Sequence, residues 1–124
     1  MLEKFRHIIK NEINQIEDKK IFVACSGGVD STVLSFLLIA CGFKFTLIHC
    51  NFSLRGLESD NDQLFVENLA HQLDVPVLIK KFDTSAESAK EKTNIQLTAR
   101  NLRYNWFNEL KLNEKNALIL TAHH

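Results

Sequence analysis

The chain has 124 residues, 45% hydrophobic and 24% charged, which suits one globular domain with an ordinary core and is short for two. Lysine plus arginine and aspartate plus glutamate balance at 15 each, so the whole lacks the field of a free-standing nucleic-acid binder and any such contact must be local. No apolar run approaches the roughly 20 residues that span a bilayer, Met1 to His7 do not lead into a signal peptide's uncharged core, and Cys25, Cys41 and Cys50 make neither an even disulfide set nor a CxxC pair, so the sequence reads as cytoplasmic with buried thiols.

Leu2, Phe5, Ile9, Ile13 and Ile16 share one helical stripe among charges, which predicts an amphipathic opening helix over 2–18. Residues 21–25 are a short apolar run of strand formers, stopped by Ser26-Gly27-Gly28. From Asp30 onward Val33, Leu34, Phe36, Leu37, Leu38 and Ile39 are apolar almost all round, the pattern of a buried helix, with Gly42 placed to cap its end. Residues 45–49 read as a strand. After a loop over 51–58, Ser59 is the expected N-cap of a helix marked by Phe65, Leu69 and Leu73, and Asp60 and Asp62 suit the dipole of its first turn. Pro76 restarts the chain into a strand at 77–79. The polar stretch 83–94 gives no firm pattern beyond partial helical character. Ile95, Ala99, Leu102, Trp106 and Leu110 recur at helical spacing, placing Trp106 and Phe107 in a core, and 117–121 is a fourth strand.

Strands separated by helices require crossovers, hence a mainly parallel sheet covered on both faces: a doubly wound, Rossmann-like α/β fold. No repeat or linker divides residues 1–124. The chain ends at Leu118 to His124 on a strand and its exit, where α/β enzymes place functional groups, which predicts a domain truncated at its C-terminal end.

The sharpest signal is Ser26-Gly27-Gly28-Val29-Asp30-Ser31-Thr32, between a buried strand and a helix start, with two of the four glycines adjacent. Glycine lets the backbone approach a ligand closely, and the following helix turns its free N–H groups toward an anion. Hydroxyls of Ser26, Ser31 and Thr32 add donors. The arrangement is a phosphate cradle; the competing reading is a Gly-Gly turn with a helix cap. A carboxylate at Asp30 beside polyphosphate needs a cation between them, which magnesium would supply through oxygen ligands, although aspartate also suits a helix start for dipole reasons. No lysine follows the glycines, which excludes GxxxxGK[ST], and their adjacency excludes GxGxxG.

What the loop does resemble is the SGGxDS signature of the PP-loop ATP pyrophosphatases, matched without a gap from Ser26 to Ser31. Two further stretches resemble the tRNA(Ile)-lysidine synthetases within that group. His49-Cys50-Asn51-Phe52-Ser53-Leu54-Arg55-Gly56, followed by Glu58-Ser59-Asp60, is similar to their HxNxxLRG stretch and acidic helix start. Gln96 to Tyr104 is similar to their QxxAR..RY helix, and Thr121-Ala122-His123-His124 to the segment preceding their acidic motif. The likeness runs from residue 21 onward in matching order. Two departures stand out: Phe52 occupies a position where many members carry histidine, and the acidic motif would follow His124.

The resemblance implies a PP-loop ATP-binding domain over 1–124 in which Ser26, Gly27, Gly28, Val29, Asp30, Ser31, His49 and Asn51 contact ATP. It also implies magnesium at Asp30, and catalytic roles for Asp30, Arg103 and His123. The implied reaction is adenylation of the wobble cytidine of tRNA(Ile), then attack by L-lysine to give lysidine with release of AMP and pyrophosphate. It leaves a homodimer open. The residues read by themselves agree in part: His49 and His123 follow parallel strands at the ligand end, and Gln96, Arg100 and Arg103 form a polar helix row, either a solvated face or a phosphate grip. Arg55 is equally a phosphate ligand or a solvated cation, and Lys80, Lys81, Lys90 and Lys92 form a loosely basic stretch. The rival readings are a PP-loop tRNA thiolation enzyme, for which Cys50 is the thiol to test, and a nucleotide-binding module without chemistry.

Overall fold

The computed structural model describes residues 3, 4, 7 and 19–122; most of the expected opening helix, together with His123 and His124, lies outside the described residues. The first strand, β1, spans Lys20–Ala24. Then come α1 (Val29–Ala40), β2 (Thr46–Asn51), α2 (Leu57–Leu73) and β3 (Val77–Lys81). The remaining elements are α3 (Thr84–Glu91), α4 (Ile95–Asn113) and β4 (Ala117–Thr121). All strand pairs are parallel, in the order β3-β2-β1-β4, with Ala24 level with Ile48 on one side and Thr121 on the other. The doubly wound, parallel α/β expectation holds.

Strand alternation divides the core into two layers. Ile21, Val23, Cys25 and Leu47 face α1 and α2, where Leu38, Val66, Leu69 and Ala70 close over them. Phe22 and Ile48 face α4, where Trp106 and Phe107 are each 8% exposed. Burying side chains of this size contributes roughly 1.5–3 kcal/mol apiece. The central position of β1 explains why its residues 21–24 are all apolar: both faces are covered.

Helix ends follow local chemistry. Gly42, at φ +82°, ends α1 with paired bonds from the Gly42 and Phe43 N–H groups to the Ile39 and Leu38 carbonyls. The stretch 83–94 resolves into α3, capped by Asp83, whose carboxylate accepts from the Ala86 N–H; the Asn94 side chain likewise accepts from the Leu97 N–H to start α4. Ser59 does not cap α2. That helix starts two residues earlier, at Leu57 behind Gly56, and the Ser59 hydroxyl accepts from the Arg55 N–H in the preceding turn. A hydroxyl inside the first turn can tie down the incoming loop as well as one placed before it.

The topology fixes where a ligand can enter. The chain steps outward from β1 through β2 to β3, then crosses back to lay β4 on the other side of β1. The loops leaving β1 and β4 therefore diverge at their carboxyl ends, and such a switch point is where open α/β sheets bind ligands. Among the described residues no helix is long and apolar enough to cross a membrane.

Candidate functional site

The loop 25–28 leaves β1 at that switch point. Gly27 sits at φ +89°, a conformation that side chains with a Cβ resist, so the sharp exit from the strand depends on glycine there. Gly28 is different: its φ of −86° and ψ of 173° are open to any residue, and a Cβ would meet nothing closer than the Ser26 hydroxyl at 3.4 Å. Its lack of a side chain serves the space in front of the loop rather than the backbone. That space is a small cavity of about 180 Å3 lined by Ala24, Ser26, Gly28, Val29, Asp30, Ser31 and Ala122.

What faces the cavity is a set of unspent donors. Helices α1 and α2 both begin behind a glycine with no side-chain cap, while α3 and α4 are closed by Asp83 and Asn94; of the two open starts it is α1 that lines this cavity. The first-turn N–H groups of Val29, Asp30 and Ser31 have no intrahelical acceptor, and the helix dipole adds partial positive charge. Internal bonds keep the loop in shape: the Ser26 hydroxyl accepts from the Gly28 N–H at 3.3 Å, and the Ser31 and Thr32 hydroxyls donate to the Gly28 carbonyl at 3.3 and 2.8 Å. An oxyanion with several oxygens is the ligand such a cradle suits.

Behind the cradle the neighbouring strand holds it in place. His49, 5% exposed, lies 2.7 Å through Nδ1 from the Cys25 carbonyl; a carbonyl only accepts, so Nδ1 is the donor of this bond. This contact fixes the residue from which the loop departs. Asn51, 1% exposed, donates to Asp60 Oδ1 at 3.1 Å and Gln63 Oε1 at 2.9 Å and accepts from the Ser53 N–H, joining the end of β2 to the start of α2. Neither residue is among those lining the cavity; their polar atoms hold the start of the loop and the end of β2 beside it.

Arg103 lies half-buried on α4, on the sheet face opposite α1, its guanidinium 5.3 Å from the Tyr104 ring, with Arg100 at 5.4 Å from the same ring. Its charge reaches Cys50, which stands opposite Lys80 in the β2–β3 pair. Burial pushes the Cys50 thiol up to about 11, against the opposing pull of Arg103 and Lys80. A thiol held neutral is a poor nucleophile. Phe52 stacks on Phe82 at 5.5 Å, so a packing role replaces the histidine expected of relatives at that position. Lys80 and Lys81 each lie within ion-pair distance of an acid, Glu109 and Asp60 respectively, which thins the basic stretch.

Asp30 is exposed at the cavity wall. Among the described residues no cluster of three His, Cys, Asp or Glu side chains gathers to hold a metal by protein ligands alone. One carboxylate beside a phosphate cradle fits magnesium in its usual manner, shared between one or two carboxylates and substrate phosphates. Sequence reasoning missed Asp62 as a neighbour of the loop: its Oδ1 lies 3.5 Å from where a Cβ on Gly27 would stand, and the 35-residue separation leaves no local pattern from which to read that contact.

The whole chain, residues 1–124, matches the family model described as PP-loop domain. The chain belongs to the PP-loop family. It is 42% identical over 107 residues to the tRNA(Ile)-lysidine synthase of Porphyromonas gingivalis strain W83, covering 86% of this chain and 24% of that protein. It is 37% identical over 131 residues to the enzyme of that name from Persephonella marina, covering 98% and 28%. This PP-loop chain thus spans about a quarter of the length of the curated relatives it matches. In fold it resembles the NH3-dependent NAD synthetase of Campylobacter jejuni, with a TM-score of 0.75 at 14% identity over 99% of this chain and 55% of that one. The NMN synthetase of Francisella tularensis gives 0.71 at 16% identity, over 95% and 51%.

Proposed function

We propose that this chain is the ATP-binding part of a tRNA(Ile)-lysidine synthetase. The single observation that carries the reading is the uncapped α1 start behind Gly28, opening on a cavity at the sheet's switch point, in a chain 42% identical over 107 residues to an enzyme of that name. In this reading the loop amides with Ser26 and Ser31 hold the pyrophosphate of ATP. Asp30 holds magnesium, which would neutralise charge between phosphate and carboxylate. The substrate oxygen is the carbon-2 oxygen of the wobble cytidine, a poor leaving group until AMP is attached to it; the amino group of L-lysine then displaces AMP and forms the new carbon–nitrogen bond. Arg103 and His123 assist by stabilising charge on the transferring group. The enzyme works in the cytoplasm, where its tRNA and ATP are found.

A thiolating enzyme would need a reactive cysteine, and the neutral, half-buried Cys50 does not favour one. The test is product analysis with α-labelled ATP, isoleucine tRNA and lysine, using the full-length protein. AMP and pyrophosphate are expected. ADP and phosphate as the main products would sink the reading, and absence of any tRNA-dependent turnover would leave a nucleotide-binding module without chemistry.

A further inference from the structure

A second carboxylate, Asp62, does not line the cavity but stands against Gly27, in the loop that forms it. Asp62 projects from the second turn of α2 to the outer side of Gly27, with its Oδ1 and Cβ each 3.5 Å from the Cβ position of that glycine. A full negative charge there would oppose any polyphosphate drawn to the cradle. Arg55, on the loop between β2 and α2, reaches across to it: Nη2 donates to Asp62 Oδ2 at 2.6 Å, while Nη1 lies 3.4 Å from Glu58. The chain spends effort on this alignment. Ser59 accepts from the Arg55 N–H at 3.0 Å, and the buried Asn51 ties Asp60 and Gln63, on either side of Asp62, to the end of β2.

We propose that Arg55 is a positioning residue for nucleotide binding that acts through Asp62: it neutralises the carboxylate beside Gly27 and so keeps the cradle receptive to phosphate. The pair is partly exposed, at 62% and 36%, and contributes little to fold stability as a surface ion pair. Its consequence is electrostatic and directed at the ligand, because an unmasked carboxylate against Gly27 and a polyphosphate in the cradle formed by the same loop carry like charges. The inference rests on the ATP-binding reading above, and it assigns Arg55 a role distinct from gripping phosphate directly.

The test is ATP titration of the full-length protein with magnesium, for wild type and for Arg55→Ala, Asp62→Asn and the double variant, each checked for unchanged melting. Arg55→Ala should weaken ATP binding about tenfold, with the loss shrinking as salt is raised. Asp62→Asn should bind as well as wild type or better, and the double variant should recover most of the affinity that Arg55→Ala lost. Arg55→Lys should retain most of the wild-type affinity. If the double variant binds as poorly as Arg55→Ala, Arg55 touches the phosphates itself and the proposal is overturned; unchanged binding in Arg55→Ala overturns it as well. Failure of wild type to bind ATP would instead defeat the functional reading on which the inference rests.

Discussion

The two edges of the sheet use the same helices in opposite ways. At the carboxyl edge α1 begins uncapped at Gly28, before a cavity of about 180 Å3. At the amino edge lies a much larger hollow, about 650 Å3, lined among others by Phe43, Lys44, Phe45 and Pro76. Here α1 and α2 end, and their last carbonyls accept from the amides of Gly42, Phe43, Asp74 and Val75. Helix C-termini carry partial negative charge and disfavour an anion, while an open N-terminus attracts one. Size is thus a poor guide to the site: the smaller cavity holds unspent donors, and the larger is a gap beneath ends that are already closed.

The sharpest way to break this comparison is at the two adjacent glycines. Gly28→Ala should fold normally, since its φ and ψ suit alanine, yet put a methyl group at the cavity wall; ATP affinity should fall on the order of 10- to 100-fold by displacing the phosphates. Gly27→Ala meets only ordinary contacts but must hold φ +89°, so its main effect should be a loss of about 1–2 kcal/mol of stability, seen in denaturant unfolding. Were Gly28→Ala to lose stability and keep its affinity, the space before Gly28 would not be the ligand's.

Cys50 offers a smaller effect. Its thiol, raised to about 11 from 9.0, stays protonated in the folded protein while the unfolded chain ionises near 9. The stability that this contributes is present below pH 9 and is lost as pH rises toward 11, because over that interval the unfolded state binds fewer protons. Cys50→Ser should therefore flatten the fall in stability between pH 9 and 11 and, in the full-length protein, leave the proposed tRNA-dependent turnover near the wild-type rate. A variant without activity would revive the thiolation reading.

Much of this was legible in the chain because it is written locally. The loop from Ser26 to Ser31, the cap at Gly42 and the strand over 117–121 each announce themselves within a few residues, through glycine placement or apolar runs. The helix over 84–91 did not, since eight residues with buried Thr84 and Ser88 carry almost no apolar stripe and depend on the Asp83 cap and on packing beside α4. The support given by His49 and Asn51 was not legible for a related reason. Both stand at the strand end where ligands bind, and only the fold shows their polar atoms turned to Cys25, Asp60 and Gln63. Asp62 was invisible as a neighbour of Gly27 because no spacing rule links α2 to the loop after β1.

The smallest expected effect tests the amino edge directly. Lys44 is exposed at the larger hollow, and a lysine beside a cavity is an obvious candidate for a phosphate ligand if size decides. It lies at the opposite end of the strands from the cradle, and five residues of strand cover about 17 Å, roughly two Debye lengths at physiological salt. Lys44→Ala should accordingly change ATP affinity by no more than about twofold at 0.15 M ionic strength, within the range of a neutral surface substitution. At 0.01 M, where screening extends over roughly 30 Å, a modest weakening should appear, because the loss of one positive charge is then felt at the carboxyl edge. A tenfold loss at physiological salt would place the anion among the lysines of the amino edge. The uncapped start of α1 would then have no ligand to explain it.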